Sequence, residues 1–473
     1  MDLLGAILSD LRSALPEGLN LDAVVLRKAP TTSQGDLATN AALVAGTDPA
    51  VLVRRLSKDF RIDRASAAGG FVNLRLSKAA LDDALKVAAD MGPDWGTAGD
   101  RGEPVSIEFA SAYPTPGLSA SHLRQAAFGD ALARTLEFAG HAVTREYYVG
   151  DGGAQADTLA RAVRGVQEGR TTDPALAPIA ADAPDGGDDE DGWLAPLRAH
   201  AVRGAMRMVR SELEAFGVRM DRFIFERALM EGGAVAAAVA DLDAAGHVRD
   251  GYIFAADRFG DERARPMRLE DGRWTYFAGD VAAHRLRLEG HRTLIDVLGT
   301  DHAAYRRRLT AAVTALSGGA ATLDLRLVGP ADGPPAAEIL ETLGPDIARL
   351  ALLAPRAEVP MTFDMAGARG VAWGNPAWRV LSAAARLGEV GANGGGAPRP
   401  LALAIASWPH VARCAAAERN PRIVLSHLLD IAERSIAALD RPEGLDDAGR
   451  RAAAASMAAG LSCLGVRPPP DLG

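Results

Sequence analysis

Hydrophobic and polar residues alternate with different periods along the chain, and each change of period marks a predicted element. Residues 105–111, VSIEFAS, form a short apolar run typical of a buried strand, and residues 142–151, AVTREYYVGD, form a second one. Between them, residues 121–139 carry apolar positions near helical spacing, with Ser121 as the predicted N-cap and Gly140 as the stop. Strand, loop, helix and strand in this order predict half of a nucleotide-binding α/β sheet.

The later part of the chain supplies the other half of this sheet. Residues 293–316 predict a buried strand, a Gly-Thr-Asp-His turn and a helix. Helices are also predicted near 195–216 and 231–245, and the segments GYIFAA and WTYFAGD have the pattern of strands. From about residue 374 onward the chain is alanine-rich helix with a glycine-rich break at 391–398, which predicts a separate helical domain.

The first 90 residues have the pattern of a small α+β unit. An amphipathic opening helix is followed by the segment GDLATNAAL and by a predicted strand in GGFVNLRLS at 69–77. Residues 91–104 are rich in Gly, Pro and Asp and predict a linker. Residues 171–192 concentrate carboxylates, and we expect a solvated, disordered insertion there instead of a metal site, because nothing fixes those side chains.

Composition narrows the class of protein. The chain has 473 residues, 48% hydrophobic and 24% charged, with a net charge of −9 and no apolar run long enough for a membrane span. Its two cysteines, Cys414 and Cys463, have no metal-ligand spacing, so we expect a cytoplasmic protein without a tightly bound metal. After Lys86 every fixed positive charge is an arginine, which excludes any mechanism that needs a lysine in the main body.

The loop at 112–122 is the first candidate for chemistry. It lies where a parallel strand passes into a helix, and the unpaired N–H groups of a helix start attract anions such as phosphate. His122 is the predicted catalytic residue, because it could donate to developing charge, although a histidine at a helix start can equally be a cap. Ser119 and Ser121 can donate hydroxyl hydrogen bonds but carry no charge.

A second group of polar residues could bind a cation. Tyr276 and Asp280 are one helical turn apart if a helix begins near residue 277, so they project to the same side. A tyrosine hydroxyl and a carboxylate could together hold a guanidinium, which takes planar, charge-assisted bonds; a packed tyrosine beside an exposed aspartate is the alternative. Asp301 and His302 follow the second half of the sheet at its carboxyl end, where such sheets bind ligands.

These segments together resemble arginyl-tRNA synthetase, a class I synthetase, along nearly the whole chain. GDLATNAAL and GGFVNLRLS are similar to the family's N-terminal tRNA-binding module. The segment IEFASAYPTPGLSASHLRQAAFGDALARTLEFAGHAVTREYYVGDGGAQ is similar to the catalytic half with its HIGH signature. LEAFGVRMDRFIFERAL, FGDERARPMRLEDGRWTYFAGDVAAH and LIDVLGTDHAAYRRRLTAAV follow in the family's order, and NPAWRVLSAAARL and LGVRPPPDL are similar to the start and end of its helical domain.

The resemblance implies an α/β fold with three domains. They are a small α+β N-terminal tRNA-binding-like domain at 1–95, a Rossmann-like catalytic domain at 104–372 and an all-α anticodon-binding-like domain at 373–473. It implies arginine and tRNA(Arg) as partners, ATP with Mg²⁺ as cosubstrate if the enzyme is active, a monomeric chain and no membrane. The residues matched to arginine contacts are Glu108, Ser111, Tyr276 and Asp280, and those matched to nucleotide contacts are Ser119, Ser121, His122, Gly299, Asp301 and His302.

The departures from the family pattern are equally specific. Of the HIGH motif only the final histidine remains, as His122, and the family's asparagine is replaced by Tyr113, which we expect to fill part of the pocket. The KMSKS loop expected after LDLRLVGPADG is missing. In the helical domain, the family's Gln-Tyr-Ala-His-Ala-Arg is reduced to Leu-Ser-Ala-Ala-Ala-Arg, which ends at Arg386.

Three hypotheses follow from these matches and departures. The first is a divergent arginine–tRNA ligase whose aminoacylation is impaired or lost. The second is a non-catalytic paralogue that binds arginine, tRNA or a protein partner. The third is an altered enzyme that activates an arginine-like substrate by another route.

Overall fold

The structure is a computed structural model of the chain, and it describes residues 2–31, 33–99, 102–185, 187, 189–389 and 394–467. The chain divides into two compact units. One joins the two ends of the chain, Met1–Ala98 with Val371–Gly473, and the other is the continuous segment Gly99–Gly370. The segments predicted as an N-terminal module and a C-terminal helical domain therefore share one compact unit.

The unit formed by the chain ends contains a four-stranded antiparallel sheet with helices around it. The sheet has the order β1-β2-β4-β3, and α4 packs against α16 and α18. Its elements are α1 (Leu3–Ser13), β1 (Leu26–Lys28), β2 (Leu37–Thr39), α2 (Ala41–Ala45), α3 (Pro49–Leu56), β3 (Ile62–Ala68), β4 (Phe71–Leu76), α4 (Lys78–Met91), α15 (Pro376–Gly388), α16 (Arg399–Ala417), α17 (Arg422–Leu439) and α18 (Asp447–Cys463).

Two buried tryptophans tie the two ends of the chain together within this unit. Trp95 and Trp408 are both fully buried. The Trp95 indole donates to the carbonyl of Ile405 at 3.3 Å, and the Trp408 indole donates to the carbonyl of Trp95 at 2.8 Å. Because a buried indole N–H without a partner is costly, these reciprocal bonds fix the N-terminal segment on α16.

The continuous unit contains a five-stranded parallel sheet of order β12-β11-β5-β6-β7. The chain winds outward from β5 through β6 to β7 and then returns to the other side of β5 to form β11 and β12. The sheet and its crossover helices are β5 (Val105–Phe109), α5 (Ala120–Phe138), β6 (Val143–Val149), α6 (Ala154–Gln167), α7 (Ala177–Ala181), α8 (Glu190–Ala215), β7 (Arg222–Phe225), β11 (Thr293–Gly299), α12 (Arg306–Ser317) and β12 (Thr322–Val328). The reversal between β5 and β11 is a topological switch point, where open α/β sheets bind ligands.

Smaller elements complete this unit. A three-stranded antiparallel sheet and a two-stranded parallel one lie outside the main sheet. The remaining elements are α9 (Glu226–Glu231), α10 (Ala234–Ala244), β8 (Val248–Arg249), β9 (Ile253–Phe254), β10 (Arg265–Pro266), α11 (Tyr276–Leu288), β13 (Ala331–Asp332), α13 (Ala336–Leu353), β14 (Met361–Thr362) and α14 (Met365–Arg369).

Close packing between α5 and β5 depends on one glycine. All five residues of β5 are buried, and a Cβ atom added at Gly129 would lie 2.2 Å from the ring of Phe109. The helix therefore approaches the central strand closely enough to exclude any side chain at this position. Just beyond β5, Ala110 has a φ of 57°, an unusual left-handed conformation for a residue with a side chain, and turns the chain into the loop that follows.

Three predicted features differ from the structure. The N-cap of α5 is Ser119 and not Ser121, because the Ser119 hydroxyl accepts the backbone N–H of His122. The WTYFAGD segment is not a strand, since α11 begins at Tyr276 with Thr275 as its N-cap. The short helix α7 lies inside the segment for which disorder was expected, because Leu176, Ile179 and Ala180 are buried against neighbouring helices.

Parts of several predicted segments lie outside the described residues. The linker at 91–104 includes residues 100 and 101, and the acidic segment at 171–192 includes residues 186 and 188. The glycine-rich break includes residues 391–393, and the final LGVRPPPDL segment includes residues from 468 onward.

Candidate functional site

A cavity of about 480 Å³ opens at the carboxyl ends of β5, β6 and β11, at the switch point of the parallel sheet. This volume is in the range of small-molecule sites. Its lining is rich in carboxyl, hydroxyl and imidazole groups. The lining residues with such groups are Glu108, Ser111, Tyr113, Thr115, His122, Tyr148, Glu226, Tyr276, Asp280, His284, Asp296, Asp301, His302 and Tyr305.

A fully buried arginine on α11 organises the floor of the cavity. The Arg287 guanidinium lies 2.6 Å from Asp296 on β11, 2.8 Å from Glu146 on β6 and 3.3 Å from Glu108 on β5. Three neighbouring strands of the sheet are thus joined by one cation. Burial alone would raise the pKa of Asp296, but Arg287 and His284 outweigh it and hold that pKa below its usual range.

His284, one turn earlier on α11, extends this network. One ring nitrogen lies 3.0 Å from the Asp296 carboxylate, and the other lies 2.7 Å from the backbone carbonyl of Asp280. Burial opposes the charged imidazole, but the Asp296 carboxylate outweighs burial and raises the pKa of His284. Glu146 is also paired with Arg222, so the carboxylates of the floor are balanced by cations of the protein.

Glu108 and Ser111 are linked at the end of β5. The Ser111 hydroxyl donates to Glu108 at 3.0 Å and accepts the backbone N–H of Tyr148 at 2.9 Å. Burial and the neighbouring Asp296 raise the pKa of Glu108 to about 7, against the opposing influence of Arg287. The serine therefore orients the glutamate and ties β5 to β6.

Two carboxylates of the cavity take part in no ion pair among the described residues, although the charge of His284 acts on one of them, Asp280. None of the described hydrogen bonds or ion pairs involves the Asp280 side chain, and burial raises its pKa to about 7. Glu226 is only 3% exposed and accepts one long bond, 3.3 Å, from the backbone of Gly152; burial raises its pKa as well. The enclosed Tyr148 hydroxyl, which faces the same cavity, has no described hydrogen bond either. Such groups are costly unless a ligand satisfies them.

Two tyrosines form the rim of the cavity. Tyr276 is 58% exposed and Tyr113 is 44% exposed. Their rings lie over glycines: a Cβ at Gly150 would lie 2.9 Å from Tyr113, and a Cβ at Gly153 would lie 2.6 Å from the Tyr276 hydroxyl. Tyr113 was expected to fill part of the pocket; it lies at the edge, and the cavity beneath it remains open.

The start of α5 is closed by its own side chains. The Ser119 hydroxyl accepts the backbone N–H of His122, and His122 Nδ1 accepts the backbone N–H of Ser119 at 3.1 Å, which together form a capping box. An accepting Nδ1 places the ring proton on Nε2 and makes the imidazole neutral. Burial also lowers the pKa of His122, so the ring can donate one hydrogen bond but does not supply a positive charge.

The other polar groups near the start of α5 are held by the protein backbone. The Ser121 hydroxyl accepts the N–H of Ala331 at 2.8 Å and donates to the carbonyl of the same residue at 3.1 Å. Arg124 is 2% exposed, and its guanidinium donates to four backbone carbonyls at 2.7–3.2 Å. Those carbonyls belong to Gly329, Pro330, Arg356 and Val359.

Gly299, Asp301 and His302, at the end of β11 and just after it, form another part of the cavity lining. Gly299 ends the strand, and a Cβ there would lie 2.3 Å from the Asp301 carboxylate. Asp301 and His302 approach each other to 3.4 Å and are largely exposed, with 80% and 50% of their side chains accessible. Asp301, His302 and Gly299 all line the cavity.

The charge of the cavity is strongly asymmetric. Five carboxyl groups line it, whereas none of the described residues that line it is an arginine or a lysine. Its cationic potential comes from three histidines, of which His122 is held neutral. The fixed charges of the described lining residues are thus negative, which suits a cationic ligand.

The structure brings most of the predicted site residues to one cavity. Glu108, Ser111, His122, Tyr276, Asp280, Gly299, Asp301 and His302 line it, and Ser119 and Ser121 do not. Their roles as ligand contacts stay predictions. Glu226 and Tyr148 were not predicted as site residues. Glu226 follows β7 and Tyr148 lies near the end of β6, and neither position belongs to a recognised motif. Arg287 and Asp296 were missed because a buried ion pair between helix and strand has no local sequence signal.

The described residues contain neither a candidate metal site nor a candidate membrane span. Within the described ranges, no group of three or more His, Cys, Asp or Glu side chains is arranged to hold a metal ion. Among the same residues, none of the helices is both long and apolar enough to cross a membrane.

The parallel sheet, its switch-point cavity and the helix capped by Ser119 have the catalytic fold of a class I aminoacyl-tRNA synthetase. A family model described as "tRNA synthetases class I (R), catalytic domain" matches residues 94–181. The solved arginyl-tRNA synthetase of Thermus thermophilus superposes with a TM-score of 0.79 at 19% identity over 99% of both chains. That of Plasmodium falciparum gives 0.74 at 12% identity over 99% of this chain and 97% of its own.

Relatives at higher identity narrow the family. The arginine–tRNA ligase of Paracoccus denitrificans is 33% identical over 97% of this chain and 96% of its own length. That of a Jannaschia species is 34% identical over 89% of this chain and 87% of its own. The chain belongs to the arginyl-tRNA synthetase family. Since the first alignment spans 562 positions and this chain has 473 residues, that relative contains segments without a counterpart here.

Proposed function

We propose that this chain binds arginine through its guanidinium group and carries out the ATP-dependent activation of arginine slowly or not at all. The observation that carries the proposal is the lining of the cavity: carboxylates that form no described ion pair face it, and no arginine or lysine does so among the described residues. A guanidinium supplies planar, charge-assisted donors that suit Asp280 and Glu226.

The activation step needs positive charge for the departing pyrophosphate, and the described surroundings of the cavity offer little of it. His122 is held neutral by its capping box, and Arg124 is used by four backbone carbonyls. Residues 329–335 alone connect β12 to α13, which leaves no room for a lysine-bearing loop. Loss of one preorganised group of this kind typically costs about 10²–10³ in rate, so loss of two costs roughly 10⁴–10⁶ if the effects add.

The relatives are named arginine–tRNA ligases, so we propose arginine and tRNA(Arg) as the partners of this chain in the cytosol. ATP with Mg²⁺ is the family's cosubstrate, and its triphosphate finds no fixed cation among the described lining residues. In α15, Arg386 forms an ion pair with Asp440 at 2.8 Å, so the remnant of the family's anticodon-domain motif is engaged within the protein.

The first test separates binding from catalysis. Calorimetric titration should show that arginine binds, whereas citrulline, its neutral isostere, does not. Asp280→Ala should abolish arginine binding, because it removes the carboxylate without a partner, whereas Asp243→Ala on the exposed side of α10 should leave it unchanged. Equal affinity of the Asp280→Ala variant would contradict the assignment of the pocket.

The second test concerns the reaction. Arginine-dependent exchange of pyrophosphate into ATP, with and without tRNA(Arg), should run roughly 10⁴–10⁶ more slowly than in an ordinary family member. Expression of this chain should fail to rescue a bacterial strain depleted of its own arginyl-tRNA synthetase. Exchange at ordinary rates, or rescue, would refute the loss of activation while leaving arginine binding intact.

A further inference from the structure

The inference concerns the chemical class of ligand that the cavity prefers, and it rests on the proposed guanidinium site. Within the floor of the cavity, Arg287, Arg222 and His284 pair with Glu108, Glu146 and Asp296. Two further carboxylates, Asp280 and Glu226, face the cavity, and neither takes part in a described ion pair. When both are ionised, the enclosed part of the site has room for two positive charges.

Free arginine does not carry two net positive charges. Its guanidinium and α-amino groups are positive, but its α-carboxylate returns the net charge to one and would itself face an acidic lining. The described lining residues offer that carboxylate no arginine or lysine, and the Asp301 carboxylate at the rim, 80% exposed, adds repulsion. His302 at 3.4 Å from Asp301 is already engaged with that carboxylate.

The enclosed hydroxyl of Tyr148 indicates independently that a ligand completes this site. It is shielded from solvent, faces the cavity and has no described hydrogen bond. A Cβ atom at Gly279 would lie 3.2 Å from this hydroxyl and 3.7 Å from the Glu226 carboxylate, so both polar groups border the same small space. A guanidinium has five N–H donors and no acceptor, so it could donate to both at once.

We propose that the preferred ligand of the cavity is a dication: a guanidinium compound with a second amine and with its carboxyl group absent or blocked as an ester or amide. The guanidinium and the amine together neutralise Asp280 and Glu226, and no carboxylate meets the acidic lining. The arginyl group of an arginine ester or amide belongs to this class, and free arginine is the weaker ligand.

The test compares four probes by calorimetric titration on the full chain: arginine, agmatine, argininamide and citrulline. Agmatine lacks the carboxyl group and keeps a simple amine with a pKa near 10, so it stays doubly charged at pH 8. We expect agmatine to bind at least about tenfold more tightly than arginine, and its affinity to fall more steeply with added salt because it carries the larger net charge. Argininamide should approach agmatine at pH 7, where its amine is charged.

A variant at Glu226 tests whether the preference for agmatine over arginine depends on the number of unpaired carboxylates in the cavity. Glu226→Gln removes one of the two uncompensated charges, so the ratio of agmatine to arginine affinity should fall to within about threefold. Glu270→Gln, the same change at an exposed position, should keep the wild-type ratio. Arginine that binds as tightly as agmatine in the wild type, with equal salt dependence, overturns this inference and leaves the guanidinium site standing. If neither compound binds, or if citrulline equals arginine, the guanidinium site itself fails and this inference with it.

Discussion

At the scale of single residues, the decisive feature is a carboxylate held in the protein without its counter-ion. Asp280 lies on the wall of the cavity, with His284 as its nearest cationic neighbour and Glu108, Glu226 and Asp296 as its anionic ones. Burial raises its pKa to about 7, so the free protein holds a proton there that a solvated aspartate would release near 4. Any cation that binds must compete with that proton.

The affinity for arginine should therefore depend on pH in one direction. The guanidinium stays charged throughout, and ionised Asp280 attracts it more strongly than protonated Asp280, so affinity should rise at least about tenfold between pH 6 and pH 8. Glu108 and Glu226, whose pKa values are also raised, act in the same direction, and the charge of His284 opposes the raised pKa of Asp280. Titrations in two buffers of different ionisation enthalpy should show proton release near pH 6.5. Asp280→Asn should bind weakly and with a smaller pH dependence, which then comes from Glu108 and Glu226. Asp243→Asn should keep the full dependence, and a flat wild-type profile would contradict the raised pKa of Asp280.

The same pKa has a consequence for the stability of the free protein. Because the folded-state pKa lies above the unfolded value of 3.8, the contribution to the free energy of unfolding is present at low pH and is lost as pH rises through 7. Asp280→Asn, which cannot ionise, should then be more stable than the wild type at pH 8, by roughly 1–3 kcal/mol, although weaker in binding. A buried charge that lowers the stability of the unliganded protein is typical of a ligand-binding site.

At the scale of elements, Arg124 on α5 joins two backbone segments that are far apart in sequence. Its guanidinium holds the turn after β12 and the segment before β14 by four backbone carbonyls, and it is 2% exposed. The short connection between β12 and α13 is thus fixed to the helix that borders the cavity.

Replacement of Arg124 should destabilise the continuous unit. Arg124→Met keeps much of the side chain's bulk and leaves the carbonyls of Gly329 and Val359 without a described donor, whereas those of Pro330 and Arg356 keep the N–H groups of Met361 and Val359. We therefore expect a loss of about 2 kcal/mol in chemical denaturation. Arg124→Lys should lose less, since an ammonium can still reach some of these carbonyls. Arg273→Met on the exposed surface is the control, and a wild-type midpoint for Arg124→Met would show that the bonds contribute little.

The elements also mark the limit of what the sequence predicts. The strands β5, β6 and β11 and the helix α5 were predictable because each has an unbroken period and clear stops. The start of α11 was ambiguous, since Trp274 and Tyr276 favour a strand, and Thr275 as an N-cap decides for a helix. The Arg287 network and the carbonyl partners of Arg124 were not predictable, because they join residues that lie 9 to 235 positions apart in sequence.

At the scale of the whole molecule, the division of the chain differs from its order in sequence. The first 98 residues and the last 103 belong to one compact unit, and the intervening segment forms the other. Helices α16 and α18 contact α4, so without the N-terminal segment they would lack part of their packing surface. Trp95, fully buried, fills part of the core that the helices share with that segment.

Residues 371–473 produced alone should not fold cooperatively. They would expose the surface that α4 and Trp95 cover, and loss of a buried tryptophan alone typically costs about 3–5 kcal/mol. Co-production with residues 1–98 should restore a cooperative melt by circular dichroism, and the same pair with Trp95→Ala should melt at a lower temperature. A cooperative transition of the isolated C-terminal fragment would show that its helices form an independent domain.

The reciprocal indole bonds set an order of events during synthesis. Trp408 is made 313 residues after Trp95, a delay of roughly 15–60 s at about 5–20 residues per second. Throughout that interval Trp95 lacks its partner on α16, while the segment that bears the cavity is being made. The unit whose synthesis starts first is therefore finished last.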